Sequence, residues 1–509
     1  VVEVTAPRQV DPEFLALPLR SLADAALAAA RAAGASHADL RVHRLTSQSL
    51  RLRDGEVQSA VDTTELGFAV RVVVDGTWGF ASHAELTPAT AAATAEQAVA
   101  VARALRGLNR EHVELAAEPV HADVRWVSDY DVDPFEVPAS DKISLLGEYS
   151  RRLLASDGVD HVTAGCLQVK EQTFYADLAG SSIVQQRVRL HPQLEATTVD
   201  QSAGVFETMR TLAPPVGRGW EYVAGDGVWN WTDELARIPD LLAEKVKAPT
   251  VVPGLTDLVI DPTNLWLTIH ESIGHATEYD RAIGYEAAYA GTSFATPDKL
   301  GTLRYGTPIM HVTADRTERH GLATVGYDDE GVKTQSWDLV ADGILVGYQL
   351  DRAFAPRLGL ERSNGCSYAD SPHHVPIQRM ANVSLQPDLG ADRSTDDLIS
   401  GVEDGIYVVG DKSWSIDMQR YNFQFTGQRF YRIRGGKLDG QLRDVAYQAT
   451  TTDFWGSMDA VGGRSTWQLG GAFNCGKAQP GQVAAVSHGC PSALFRGVNV
   501  LNTRTEGGR

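Results

Sequence analysis

One stretch limits what this chain can fold into more than any other. Residues 258–260 (Leu258, Val259, Ile260) are a short apolar run that reads as a strand. Asp261 follows as a helix N-cap and Pro262 suits the first helical position. Leu265, Ile269 and Ile273 recur at helical spacing and predict a buried stripe, with Gly284 as a stop after Ile283. This predicted helix carries His270, Glu271 and His275. The zinc-peptidase pattern His-Glu-x-x-His sets its histidines four apart, roughly 40° around a helix, so that both reach one ion. Here they are five apart, which an ideal helix opens to roughly 140°. One ion can take both imidazoles only if the helix unwinds, bulges or ends between them. A π-bulge adds the needed residue, and Gly274 stands where such a distortion costs least. Without it, these are two unrelated histidines on a surface helix.

A chain of 509 residues exceeds one ordinary core, so two or three domains are expected. The net charge of −19 argues against nucleic acid or an anionic membrane as partner. No run approaches the ~18 apolar residues that span a bilayer. Val1 to Thr5 has neither the basic nor the apolar region of a signal peptide. The four cysteines are too few for a disulfide scaffold, and cytoplasmic residence is the expectation.

Periodicity divides the chain further. An Ala-rich helix over residues 19–34 leads into strands at 38–44, 47–53, 57–63, 66–74 and 77–81, with Asp54-Gly55 and Asp75-Gly76 as hairpin turns. A second Ala-rich helix covers 87–105, and 111–139 reads as a linker. A helix at 140–155 precedes a hairpin of 167–176 with 183–190. A further helix over 232–247 takes Thr232 as its cap. The rest is strand-rich without βαβ alternation, which excludes a doubly wound sheet. The predicted class is α+β and multi-domain: an N-terminal α+β domain at 1–115, a central helix-plus-strand domain at 116–235, and a C-terminal domain at 236–509 carrying the metal-binding helix.

A catalytic zinc site needs a third protein ligand and an open position. Cys475, in Asn474-Cys475-Gly476-Lys477, would complete a two-histidine, one-cysteine set, with Lys477 favouring the ionised sulfur. Cys490, in His488-Gly489-Cys490-Pro491, ranks slightly behind. Glu278 is a further ligand candidate or a partner of His275. Glu271 is the candidate general base. Asp328, Asp329 and Glu330 form an acidic turn without EF-hand spacing. His373 and His374 are adjacent on an extended segment and point to opposite faces.

The stretch from His270 to Asp280 resembles the His-Glu-x-x-x-His segment of the TldD half of the TldD/PmbA family of zinc metallopeptidases. Asn474 to Lys477 resembles that family's C-terminal Asn/Asp-Cys-Gly-Lys loop, and Tyr327 to Gly331 one of its hallmarks. Arg379-Met380-Ala381-Asn382 is similar to a family segment, whereas Ser363-Asn364-Gly365-Cys366 lacks the arginines relatives often carry there. The resemblance implies Zn²⁺ held by His270, His275 and Cys475, and Glu271 activating zinc-bound water to hydrolyse unfolded or short peptides. It makes Cys490 structural and leaves Asp328, Asp329, Glu330 and Arg379 as substrate or structural contacts. It implies a dimer, commonly a heterodimer with a PmbA/TldE-type subunit, a homodimer being the alternative. Residues 405–409 and 421–426 read as strands, and an edge strand near the site would take an extended peptide by main-chain pairing. Two rival functions are a non-catalytic partner subunit and a metal-dependent peptide-modifying enzyme of natural-product maturation.

Overall fold

A computed structural model describes residues 8–200 and 204–506 of the chain; the opening Val1 to Thr5 lies outside them. Its N-terminal half is built on one seven-stranded sheet. The strands expected at 38–53 and 57–74 are two long ones, His37–Arg53 and Glu56–Val74. They continue through the polar residues around Thr46 and Thr64 because the two pair almost throughout. His37–Arg53 also pairs with His161–Asp177, which forms the expected hairpin with Ser182–Asp200. Strands flanking the 111–139 segment therefore share a sheet, and that segment itself contributes the strand Val124–Val127.

Alternation gives the two faces of this sheet different chemistry. Leu40, Val42, Leu50 and Leu52 lie on one face, covered at one end by helices Leu19–Ala32 and Pro88–Leu105 and at the other by Ala139–Leu154 and Trp231–Lys247. The last helix starts one residue earlier than expected: Asn230, not Thr232, accepts from the Asp233 N–H as its cap. The opposite face carries Asp39, Arg41, His43 and Glu171, all buried. It packs against the C-terminal half, where the acidic turn meets it. Asp329 pairs with Arg41, and Glu330 pairs with Arg71 at 2.9 Å. Asp328 turns inward and accepts the N–H groups of Glu330, Val332 and Ser367.

In the C-terminal half, five strands close into a ring. Gly254–Ile260 pairs in parallel with Asp404–Ile416. The ring then runs antiparallel through Asn422–Arg434, Val445–Thr450 and Ala493–Asn502 back to Gly254–Ile260. Phe423, Phe425, Tyr447, Phe454 and Phe495 belong to its packed core. The helix with the histidines leaves this ring at Asp261, which accepts from the Thr263 N–H as N-cap. It packs against the two-stranded sheet of Gln468–Lys477 and Gln482–Cys490. No described helix is long and apolar enough to cross a membrane.

Candidate metal centre

The helix runs regularly only over Pro262–Ile269. His270–Gly274 is a π turn, closed by the His275 N–H donating to the His270 carbonyl five residues back. A tight turn, His275–Thr277, follows, and Glu278 is extended before Tyr279–Ala282 resumes the helix. The helix therefore both widens and breaks before reaching Gly284. Side chains satisfy carbonyls that a regular helix would pair. Tyr305 donates to the Ser272 carbonyl, Thr277 Oγ1 to that of Ile273 at 2.8 Å, and Gln349 Nε2 to that of Gly274 at 2.8 Å. Gly274 has ordinary helical dihedrals; its lack of a side chain serves packing instead. A Cβ there would stand 2.5 Å from Met380 Sδ.

The widened turn brings the imidazoles of His270 and His275 to a centroid separation of 4.7 Å. Each has its Nδ1 occupied. His275 Nδ1 donates to Glu278 Oε2 at 2.8 Å, because a carboxylate only accepts. His488 Nδ1 donates to the Val383 carbonyl at 2.8 Å, so its Nε2 accepts the proton of His270 Nδ1 at 2.7 Å. Both tautomers leave Nε2 as the lone-pair nitrogen, the arrangement that partners of metal-bound histidines enforce. Burial pushes the pKa values of both histidines down, which keeps them neutral. Glu278 is itself buried. Lys477, His275 and Arg281 outweigh that cost and hold it well below the usual carboxylate range.

Cys475 arrives from a strand rather than a loop. A one-residue bulge between Ala472 and Cys475 shifts the register of Gln468–Lys477 and re-aims the thiol. Its Sγ lies 3.5 Å from His275 Nε2, and the ligand atoms of His270, His275 and Cys475 all fall within 4.8 Å of one another. Zinc–nitrogen and zinc–sulfur bonds of ~2.05 and ~2.3 Å at a tetrahedral angle imply an N···S separation of about 3.5 Å. Burial raises the thiol's pKa, but the neighbouring His275 and Arg379 more than reverse this and bring it down. Lys477 does not supply that help: its Nζ bonds to Glu278, Asp280 and Gln378. Two imidazoles and a thiol whose ligand atoms converge in this way fit a zinc ion. The three line a cleft of about 450 Å³ together with Glu271.

A family model described as PmbA/TldA metallopeptidase C-terminal domain matches residues 253–502, and one described as PmbA/TldA metallopeptidase domain 1 matches residues 38–102. The chain belongs to the PmbA/TldD family of metallopeptidases. It is 28% identical to a metalloprotease of Methanothermobacter thermautotrophicus over 92% of this chain and 96% of that one. It is 24% identical to a zinc metalloprotease TldD homolog of Saccharolobus solfataricus over 54% of this chain and 57% of that one. The solved TldE of Thermococcus kodakarensis superposes with a TM-score of 0.70 at 15% identity, covering 94% of this chain and 99% of that one, a likeness of fold.

The structure thus brings together His270, Glu271, His275 and Cys475 and leaves Cys490 apart, its thiol facing the Pro262 carbonyl. Glu278 meets the site through His275. Arg379 donates to the Cys475 and Gln482 carbonyls and so anchors the bulged strand. His373 and His374 bond separately, to Ser82 and Asp370. Two residues of the cleft's surroundings escaped the sequence reading: His488, and Arg420, whose NH1 sits 2.7 Å from Glu271 Oε2. Neither has a spacing that ties it to the helix.

Proposed function

We propose that this member of the PmbA/TldD family is a zinc-dependent peptidase of short or unfolded peptides, with His270, His275 and Cys475 as ligands and Glu271 as general base. The observation that carries the reading is the convergence of three ligand atoms from positions 200 residues apart, each imidazole already fixed in the ligating tautomer. A zinc ion in such a set supplies Lewis acidity, polarising the scissile carbonyl and acidifying water. Glu271 takes a proton from the attacking water and hands it to the departing amine. Gln468–Lys477 pairs on one side only, and much of it lines the cleft. That edge suits an extended peptide. The strands first considered for this role pair with each other, and the first is also bound to Gly254–Ile260 over residues 405–408. A TldE-type partner subunit is part of the proposal.

The test is zinc content by elemental analysis on the wild type, His270→Ala and Cys475→Ala, followed by peptide cleavage read by mass. Near-stoichiometric zinc lost in both variants, with two fragments formed by the wild type and only a small residual rate of cleavage by Glu271→Gln, supports the reading. Zinc unaffected by Cys475→Ala sinks the ligand set. An uncleaved product of slightly altered mass favours a peptide-modifying enzyme.

A further inference from the structure

Strand Asp404–Ile416 returns into Asn422–Arg434 through a turn that ends at Arg420. Arg420 holds φ at +62°, a left-handed conformation that costs a residue with a Cβ about 1 kcal/mol or more. Three sets of bonds impose it. Asp417 accepts the N–H groups of Gln419 and Tyr421. Thr451 Oγ1 donates to the Arg420 carbonyl at 2.8 Å. The turn also docks on the segment beyond the metal helix, where Thr292 N donates to Met418 O at 2.7 Å and Phe294 N to Gln419 O at 2.9 Å. Gly291 permits that docking, since a Cβ there would lie 2.1 Å from Met418 O.

The result aims a guanidinium into the cleft. Arg420 NH1 meets Glu271 Oε2, and NH2 donates to the Ala290 carbonyl at 3.1 Å. The same carbonyl receives Arg281, which bonds Glu278 and, through it, orients His275. One backbone oxygen thereby braces the arm that holds the candidate base and the arm that holds a candidate ligand.

We propose that Arg420 is the positioning residue of Glu271: it pins Oε2 and leaves Oε1 to work on water. The proposal rests on the peptidase reading above. Strain accepted in the backbone at a half-buried, cleft-lining arginine is the kind of feature that persists where geometry serves function. The two-armed grip on Glu271 and Ala290 uses the planar fork that lysine lacks.

The experiment compares Arg420→Ala, Arg420→Lys, Glu271→Gln and the Arg420→Ala/Glu271→Gln double variant by steady-state kinetics, zinc content and melting curves. Arg420→Ala is expected to lower kcat about 100-fold, with KM changed less than about threefold and zinc retained. Arg420→Lys should recover about tenfold of that loss. In the double variant the two losses should not add, because both remove one function. Additive losses, or zinc lost from a folded Arg420→Ala, overturn the proposal, as does wild-type kcat in that variant. Should Arg420→Ala fail to fold, Arg420→Lys decides: kcat below wild type and no added loss on top of Glu271→Gln are expected, and the opposite overturns. A fully active Glu271→Gln, by contrast, removes Glu271 as the general base of that reading and this proposal with it.

Discussion

His488 illustrates how much a site depends on groups that never reach the metal. Its only acceptor nitrogen takes the His270 proton, and it is itself completely buried and held neutral by burial and by His270. His488→Ala leaves the His270 Nδ1–H without a partner and frees the ring to turn. We expect zinc affinity to fall about 10–100-fold, measured by competition with a chromogenic chelator, while Cys490→Ala, two residues further along the same strand, leaves affinity unchanged. The residue-scale legibility of the site follows the same division. His270, Glu271 and His275 were readable because their spacing is local, and Cys475 because of the tetrapeptide around it. His488 and Arg420 were not, because they reach the site only through the pairing of strands distant in sequence. Lys477 was misjudged for a related reason: it lies on the same strand face as Cys475, but the Glu278 and Asp280 carboxylates, brought in by another element, take up its ammonium.

The element that matters most is the interrupted helix. A spacing of five announced an irregularity between the histidines, but not the break at Glu278, whose residue type is comfortable in helices. Tertiary bonds set that break: Glu278 bridges to Gln349, and the Tyr279 N–H donates to the Gln349 carbonyl. Gly274 is the element's tightest contact. Gly274→Ala is expected to destabilise the fold by about 1–3 kcal/mol in chemical denaturation, because Met380 has to yield inside a packed core. Adding Met380→Ala should recover part of that loss, whereas a conformational requirement for glycine would leave it untouched. The long strands of the first sheet show the opposite failure of local reading. Each was expected as two shorter strands, yet continuous pairing on both sides of His37–Arg53 joins the pieces.

At the scale of the whole molecule, the two halves meet across a seam that carries buried charges beside small apolar clusters such as Val169 with Leu322 and Phe473. Arg71 bonds both Asp39 and Glu330 at 2.9 Å, and all three are buried. Arg71→Ala strands two buried carboxylates, and we expect a loss of about 3–5 kcal/mol by denaturant melts, little relieved by salt. Acid acts on the molecule by another route. Burial and the nearby arginines push His191 and His320 down to about 4. The unfolded chain takes up those protons near pH 6.5, before the folded chain does. Each histidine thus stabilises the fold fully above pH 6.5, and that contribution is lost as pH falls toward 4, at up to about 1.4 kcal/mol per pH unit. Melting temperature followed from pH 7 to 4 should decline across this window, and His320→Gln should flatten the decline.

The ring that supports the metal helix is closed by Ala493–Asn502, whose Ala493 pairs with Ile260 at the helix entrance. Cys475 and His488 also come from this late part of the chain. During synthesis the N-terminal half emerges first, and the histidine-bearing helix follows without its thiol, its tautomer partner or its closing strand. A nascent chain therefore holds the histidine pair long before it holds the whole cluster. Assembly of the three-residue cluster waits for a thiol that lies 200 residues beyond His275.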